Sequence, residues 1–326
     1  MQVAVYRRRG PAREVLEVVE RPTPDPAPGE VRVRIAVSGV NPTDHKSRSR
    51  DEPLPFDEQT PNQDGSGVID AVGDGVDAGR VGERVWVYNA AFGRPTGTAG
   101  EYVCVPAERA APLPDGVPFD VAAGLGIPYL TAHDCLFSDG PLDGATVLVT
   151  GGAGAVGNAA IQLATAAGAR VVTTVSSDEK AALATAAGAD AVVNYRVGDP
   201  AEAIRAAAPD GVDRVVEVAL GANLATTLAV LAPGATVVTY ATEPAPVAIP
   251  VRQLMAGLVR LRFMLLYHVP QPELDAGVAA VNALLATGVR SPLPRHHYPL
   301  REIVAAHEAV ESGVTGKVLV DVADLR

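Results

Sequence analysis

Apolar and polar side chains alternate over the first third of the chain. Val31-Arg32-Val33-Arg34-Ile35-Ala36-Val37 has the two-residue period of a half-buried strand. Val68-Ile69-Asp70-Ala71-Val72 and Arg84-Val85-Trp86-Val87-Tyr88 read as further short strands between Gly-rich turns. Pro22, Pro24, Pro26 and Pro28 cannot sit in a sheet interior and mark an extended loop. This spacing predicts a small barrel up to about residue 120. After Pro128 the pattern changes: from Thr146 onward, Val-rich runs alternate with Ala-rich helical stretches, the mark of a parallel sheet covered by helices. LATAAGA occurs at Leu163–Ala169 and again at Leu183–Ala189. Each copy ends a helix at a glycine, Gly168 or Gly188, ahead of a strand at Arg170–Val175 or Ala191–Asn194. The echo stops there, which gives two successive βαβ units and not a solenoid. Asp199-Pro200 opens another helix. Val212–Val218 and Ala235–Tyr240 supply later strands. The last segment offers a strand at Leu261–Tyr267, a helix near Arg301–Ser312 and a strand at Lys317–Val322.

A chain of 326 residues predicts about two domains, each with its own core. The formal charge of −11 argues against nucleic acid or an anionic membrane surface as partner, since phosphate binding draws on Lys and Arg. Arg7, Arg8 and Arg9, followed by Gly10 and Pro11, fit a solvated loop. Cys104 and Cys135 stand apart, with neither a CxxC pair nor a histidine at ligand spacing, so a thiolate zinc site and a disulfide framework are both unexpected. Met1–Tyr6 is too short for a signal-peptide core, and no apolar run approaches the length of a membrane span. The expected compartment is the cytoplasm.

The strongest chemical signal is Thr146-Val147-Leu148-Val149-Thr150, followed by Gly151-Gly152-Ala153-Gly154-Ala155-Val156-Gly157. Gly152, Gly154 and Gly157 spell G-x-G-x-x-G between a strand and an Ala-rich helix, the context in which the pattern binds dinucleotides. Glycines let backbone amides approach a pyrophosphate, and the helix N-terminus adds partial positive charge. The bland alternative is a turn that packs helix on strand. An NAD site would place Asp or Glu at the end of the second strand. Here that strand ends Val175-Ser176-Ser177, with Lys180 a turn later, hydroxyls and an ammonium that suit a 2′-phosphate. NADPH is therefore the expected cofactor, although Asp178 and Glu179 pull the other way unless they only support the next helix's N-terminus. Lys46, Lys180 and Lys317 are the only three lysines among 27 Lys and Arg residues, so each merits inspection.

Taken in order, these segments resemble the medium-chain dehydrogenase/reductase superfamily, in its zinc-independent branch of zeta-crystallin-like quinone oxidoreductases and enone reductases. The resemblance rests on Gly39-Val40-Asn41-Pro42-Thr43-Asp44, Gln63-Asp64-Gly65-Ser66-Gly67, Leu130-Thr131-Ala132, the Gly-rich turn, Leu231-Ala232-Pro233-Gly234, Ala306-His307 and Gly316-Lys317-Val318-Leu319. It implies an α/β fold with a GroES-like β-barrel catalytic domain at 1–122 and 257–326. A Rossmann doubly wound parallel-sheet domain would occupy 123–256, with NADPH in the cleft between the two. By position, Thr131 would lie beside the nicotinamide and Tyr240 would border it. Gly154, Ala155, Val156 and Gly157 would face the pyrophosphate, and Ser176, Lys180 and Tyr195 the 2′-phosphate. Asn41 would face the substrate, and a homodimer would form with Leu261–Tyr267 pairing across the two-fold. Zinc-dependent relatives carry Cys at the place of Asn41 and Gly-His-Glu at the place of Asn62-Gln63-Asp64, so no metal is expected. Asn62 stands where many relatives have Gly and can adopt the same left-handed backbone. Lys46 resembles an Asn-Pro-x-Asp-x-Lys pattern of enone and alkenal reductases, whereas quinone reductases often have Tyr there.

The expected reaction is hydride transfer from NADPH to an electron-poor double bond conjugated to a carbonyl, with Lys46 as the donor that steadies the developing oxyanion or fixes the nicotinamide ribose. Asn41 is the second candidate, and Tyr88 is expected to line the pocket. His45 is a proton donor or a solvated loop residue. The partner is a small conjugated carbonyl or quinone. Three readings stay open beside this one: a quinone reductase with a wider pocket, a tailoring enoyl reductase in a biosynthetic pathway, and an NADPH-binding protein with a structural or sensing role.

Overall fold

The computed structural model describes residues 1–243, 245–288 and 291–325. It divides into two compact units, one of residues 1–127 with the chain from Pro294 on, the other of residues 128–293. The strands run β1 (Gln2–Val5), β2 (Glu17–Glu20), β3 (Glu30–Val40), β4 (Asp64–Val72), β5 (Arg84–Val87), β6 (Tyr102–Pro106) and β7 (Ala110–Pro112). They continue as β8 (Thr146–Thr150), β9 (Arg170–Val175), β10 (Ala191–Asn194), β11 (Val212–Glu217), β12 (Leu231–Thr239), β13 (Arg260–Phe263), β14 (Arg295–Pro299) and β15 (Lys317–Asp321). The helices are α1 (Ala12–Val15), α2 (Pro42–Ser49), α3 (Phe119–Ala122), α4 (Gly126–Phe137), α5 (Ala155–Ala166) and α6 (Asp178–Ala186). After them come α7 (Pro200–Ala207), α8 (Leu220–Val230), α9 (Val251–Ala256), α10 (Gln271–Ala286) and α11 (Ile303–Glu311).

In the first unit β3 is the organising strand. It pairs antiparallel with β4, β6 and β15 in a sheet ordered β14-β15-β3-β4-β5-β7. Its alternation sends Val31, Val33 and Ile35 into a core with Ile69, Val85, Val87, Val103 and Val105. Arg32, on the other face, binds Asp70 of β4 at 2.9 Å. A separate cluster places Ile303 and Ala306 of α11 on Val40, Val318 and Val320, which fixes α11 over the strands that carry the polar residues discussed below.

The second unit is a parallel sheet in the order β10-β9-β8-β11-β12-β13. Strand order reverses between β8 and β11, and the carboxyl edge at such a switch point is where open α/β sheets bind ligands. Gly168 and Gly188 end their helices with φ of +80° and +109°, a backbone that only glycine adopts cheaply. The Asp199 carboxylate caps α7 by accepting from the amides of Ala201 and Glu202.

The C-terminal boundary differs from the sequence-based one. The chain returns to the first unit at Pro294, not at 257. The expected strand at Leu261–Tyr267 is only β13, Arg260–Phe263, followed by a single tight turn at Leu266–His268. β13 pairs with β12 from Thr236↔Arg260 to Thr239↔Phe263, so backbone hydrogen bonding ties this segment to the nucleotide-type sheet. Then α10, which no periodicity had signalled, packs within the same unit, with Gly277 close against Leu130 and His133.

Candidate functional site

Two groups of functional side chains emerge, one in each unit. In the second unit the Gly-rich turn between β8 and α5 is held by threonines of the neighbouring strand. The Gly151 amide donates to Thr174 Oγ1 at 3.3 Å, the Gly152 amide to the Thr174 carbonyl at 3.1 Å, and Thr173 Oγ1 to the Val149 carbonyl at 2.7 Å. A Cβ on Gly152 would lie 2.2 Å from Thr173 Oγ1, and one on Gly157 2.4 Å from the Gly151 carbonyl oxygen, so both glycines are demanded by packing. Gly154 is different. A Cβ there would meet only the Gly151 carbonyl, at 3.3 Å, so internal packing asks little of this position. Its bareness leaves room beside the first-turn amides of Ala155, Val156 and Gly157, which geometry leaves without partners inside the helix. These residues fit an anionic pyrophosphate.

Ser176 after β9 and Lys180 in the first turn of α6 are half-buried, and Tyr195 after β10 is exposed. The Tyr195 amide donates to the Val175 carbonyl, which places it next to Ser176. Ser177 caps α6 by accepting from the Lys180 amide at 3.3 Å. Among the described residues no carboxylate pairs with the Lys180 ammonium. Thr131 is buried on α4. Tyr240 follows β12, its amide donating to the Glu217 carbonyl, and burial, reinforced by Cys135 and Glu217, pushes its hydroxyl pKa up. Sequence reading missed Glu217. Its fully buried carboxylate accepts from Thr150 Oγ1, the Ala219 amide, Asn223 Nδ2 and Thr227 Oγ1, tying β8 to the start of α8.

In the first unit Asn41 precedes α2 and its amide donates to Asp44 Oδ2 at 2.7 Å, a capping contact across the first turn. Its side chain is enclosed by charge. Nδ2 donates to Asp64 Oδ2 at 2.8 Å, and Oδ1 accepts from Lys317 Nζ at 2.6 Å. Lys317 Nζ lies 3.7 Å from Asp64 Oδ2, and both Asp64 oxygens accept from the Ile127 amide at 3.0 Å. Burial pushes the Asp64 carboxyl up and the Lys317 ammonium down, each partly offset by the other's charge. Burial also pushes Asp44 up to about 7, with the Asp64 charge adding to it and the Asn41 amide opposing it.

A second chain of hydrogen bonds runs beside this one. His307 Nε2 donates to Asn62 Oδ1 at 3.0 Å, Asn62 Nδ2 donates to Ser38 Oγ, Ser38 meets Thr98, and Thr98 donates to the Asp64 carbonyl. Asn62 has φ +75°, the left-handed backbone expected of it. Lys46 is exposed on α2, His45 is half-buried there, and no partner binds the Lys46 ammonium among the described residues. Tyr88, expected to line a pocket, is fully buried beside Trp86, and its hydroxyl donates to the Glu108 carbonyl at 2.8 Å. It follows directly on β5, whose last three residues are all buried. Asp64 has no signal in the sequence beyond its motif, and Lys317 has only the scarcity of lysine; neither assigns it a partner.

Among the described residues no group of three or more His, Cys, Asp or Glu side chains is placed to hold a metal ion, and no helix is long and apolar enough to cross a membrane.

Known proteins match this chain over nearly its whole length. Residues 27–115 match the family described as alcohol dehydrogenase GroES-like domain, and residues 155–282 that described as zinc-binding dehydrogenase. The quinone oxidoreductase of Rattus norvegicus is 32% identical, over 97% of this chain and 96% of the relative. Among solved structures, an NAD-dependent alcohol dehydrogenase superposes with a TM-score of 0.87 at 28% identity, covering 99% of this chain and 100% of the other. The Escherichia coli quinone oxidoreductase complexed with NADPH gives 0.84 at 27% identity, covering 98% and 100%.

Proposed function

The chain belongs to the medium-chain dehydrogenase/reductase superfamily as a quinone oxidoreductase-like, nicotinamide-dependent oxidoreductase, and from that premise we propose that it is a zinc-independent NADPH-dependent reductase of electron-poor conjugated carbonyls, enones, alkenals or quinones. The observation that carries this reading is the Gly-rich turn: free first-turn amides beside Gly154, with the uncommitted Lys180 a strand away. That set fits a dinucleotide phosphate, and Lys180 with Ser176 fits an extra 2′-phosphate better than a bare ribose. Tyr195 would flank the same phosphate, while Thr131 and Tyr240 would border the nicotinamide, as the resemblance implies.

When bound, the nicotinamide supplies the hydride. The chain's own task is then to hold the acceptor and steady the negative charge that grows on its oxygen. Asn41 serves this through an N–H of its amide, and Lys46, exposed and without a partner among the described residues, is the mobile second donor. The final proton comes from water. Asn41 and Asn62-Gln63-Asp64, at the places of the zinc ligands in zinc-dependent relatives, support a metal-free mechanism. Cys104 and Cys135, both buried and unpaired, suit a reducing cytoplasm.

A homodimer is part of the proposal. Among the described residues β13 ends its sheet, with Phe263 and the following Leu265 exposed, and an open strand edge is a template for a second copy.

The test is consumption of NADPH and of NADH against a short alkyl enone, an alkenal, a benzoquinone and a polycyclic quinone. Preferential turnover of one acceptor class with NADPH supports the proposal; tight NADPH binding with silence across the panel overturns it. Lys46→Ala is expected to lower enone turnover at least about tenfold, in the range for a positioned donor, and unchanged turnover removes Lys46 from the mechanism.

A further inference from the structure

The network at Asn41 does more than fill a core. Lysine has three donors and no acceptor, and an ionised carboxylate accepts only. Lys317 and Asp64 therefore present opposite demands to the two ends of one amide. Oδ1 must face the ammonium, at 2.6 Å, and Nδ2 must face the carboxylate, at 2.8 Å. A flipped amide would put an NH₂ group against an ammonium and an oxygen against a carboxylate. Asn41 Oδ1 is thus bound to Lys317, while one of the two hydrogens on Nδ2 is left after Asp64 has taken the other.

From this arrangement we propose that Lys317 is a positioning residue for the reaction. It locks the Asn41 side chain in the one orientation that offers the acceptor's oxygen an N–H donor and not a carbonyl lone pair. The inference rests on the reading that Asn41 faces the acceptor, and deepens it by naming what sets the polarity of that contact.

Two further features show a site built for this side chain. The lysine stem passes two glycines: a Cβ on Gly39 would lie 3.2 Å from Lys317 Cε, besides striking the Ala123 carbonyl at 2.0 Å, and one on Gly124 would lie 3.5 Å from Lys317 Cγ. At the other end, a Cβ on Gly126 would sit 2.2 Å from Asp64 Oδ1, so the carboxylate is received by a gap as well. The composition points the same way. This chain uses lysine at only three of its 27 Lys and Arg positions, yet places one here, with 7% of its surface exposed. A guanidinium would bring five donors into a pocket that offers one amide oxygen and one carboxylate oxygen already shared.

The test compares Asn41→Ala, Lys317→Met and the double variant Lys317→Met with Asp64→Asn, using NADPH with a benzoquinone and with a short alkyl enone. Lys317→Met alone strands the Asp64 carboxylate and can fail to fold; the double variant is neutral and does not. In the double variant Asn41 loses its enforced orientation while the charge balance is kept. The expected result is a kcat lowered about 10- to 100-fold, the scale of a misdirected oxyanion donor. KM should change less, and NADPH affinity and Tm should stay near those of the parent. A merely structural role would move Tm and leave this split absent. A double variant with kcat within about twofold of the parent overturns the proposal, since Lys317 would then only neutralise Asp64. Loss of NADPH affinity at unchanged kcat overturns it in favour of a cofactor contact. If Asn41→Ala keeps full activity, the reading of Asn41 itself fails, whatever Lys317 does. A parent protein that turns over neither acceptor removes premise and inference together.

Discussion

Replacing His307 with glutamine would convert the acid stability of the first unit into a measurement of one imidazole. His307 has no exposed surface; Nε2 is paired with Asn62 at 3.0 Å, and Nδ1 meets no partner among the described residues. Burial, helped by the charges of Arg48 and His45, pulls its pKa from 6.5 down to about 3. As pH falls below 6.5 the unfolded chain takes up a proton that the folded chain refuses until about pH 3. Stability from this group is therefore intact above pH 6.5 and is lost across that window, at about 1.4 kcal/mol per pH unit. Between pH 6.5 and about 4.5 the loss is about 2.7 kcal/mol. Asp44 works in the opposite sense. Burial pushes it up to about 7, so the folded chain binds its proton first, and acidification over the same range adds stability. The parent's own pH curve is consequently flattened, and the difference between parent and variant isolates the histidine. Glutamine keeps a donor toward Asn62 but loses part of the packing, a deficit of about 1–2 kcal/mol near pH 8. That deficit should vanish, then reverse, by about pH 4.5. The assay is urea unfolding followed by fluorescence of Trp86, the chain's single tryptophan, which is fully buried in this same unit. A deficit equal at both pH values, within about 0.5 kcal/mol, would refute the assignment of a neutral buried imidazole.

Further outcomes follow from the same geometry. Lys180→Ala should raise the Kd for NADPH about 10- to 100-fold, as expected for a charge-assisted phosphate contact, and leave that for NADH nearly unchanged; equal weakening of both would sink the 2′-phosphate assignment. The glycines of the turn should separate by role. Gly157→Ala, with a Cβ 2.4 Å from the Gly151 carbonyl, should lower Tm by several degrees, whereas Gly154→Val should leave Tm nearly unchanged and weaken dinucleotide binding at least about tenfold. Titration calorimetry showing full affinity in Gly154→Val would contradict it. Phe263→Asp, on the exposed end of β13, should shift a dimer to a monomer in sedimentation at micromolar concentration, and a monomeric parent would dispose of the dimer altogether.

Legibility tracked locality. The period of β3 and the caps at Gly168, Gly188 and Asp199 could be read because each depends on a few consecutive residues. The Gly-rich turn was legible as a motif, but the division of labour within it was not, since Gly152 answers to Thr173, twenty-one residues on, and Gly157 to the Gly151 carbonyl. The run Leu261–Tyr267 looked like one strand because every short apolar run does; Met264 and Leu266 instead turn into the core after β13 has finished pairing with β12. The burial of Tyr88 beside Trp86 is not legible locally, because nothing in a strand's sequence says which of its faces meets the interior. The polar centre was the least legible part. Asn41, Asp64 and Lys317 come from three distant places in the chain, and only tertiary pairing of β3 with β4 and β15 brings them within 3.7 Å of one another.

The three lysines show how composition and structure inform each other. Arginine serves the ordinary roles here, from the exposed pairs of Arg7 and Arg13 to the buried guanidinium of Arg48 between the Gly10 carbonyl and Glu311. Each lysine occupies a different niche: Lys317 is sealed in the core on an amide and a carboxylate, Lys180 stands half-buried in the first turn of α6 with no ion pair among the described residues, and Lys46 is exposed on α2. A planar fork is favoured where two carbonyls or a carboxylate must be gripped at once, and a compact ammonium where one atom is addressed or a phosphate is met as a point charge. By that rule Lys→Arg exchange should be harmful at 317, where the pocket is closed by Gly39 and Gly124, and mild at 46, where solvent receives the extra donors. Activity and Tm measured on the two exchanges would test it, and equal tolerance at both positions would mean that the rarity of lysine in this chain carries no structural information.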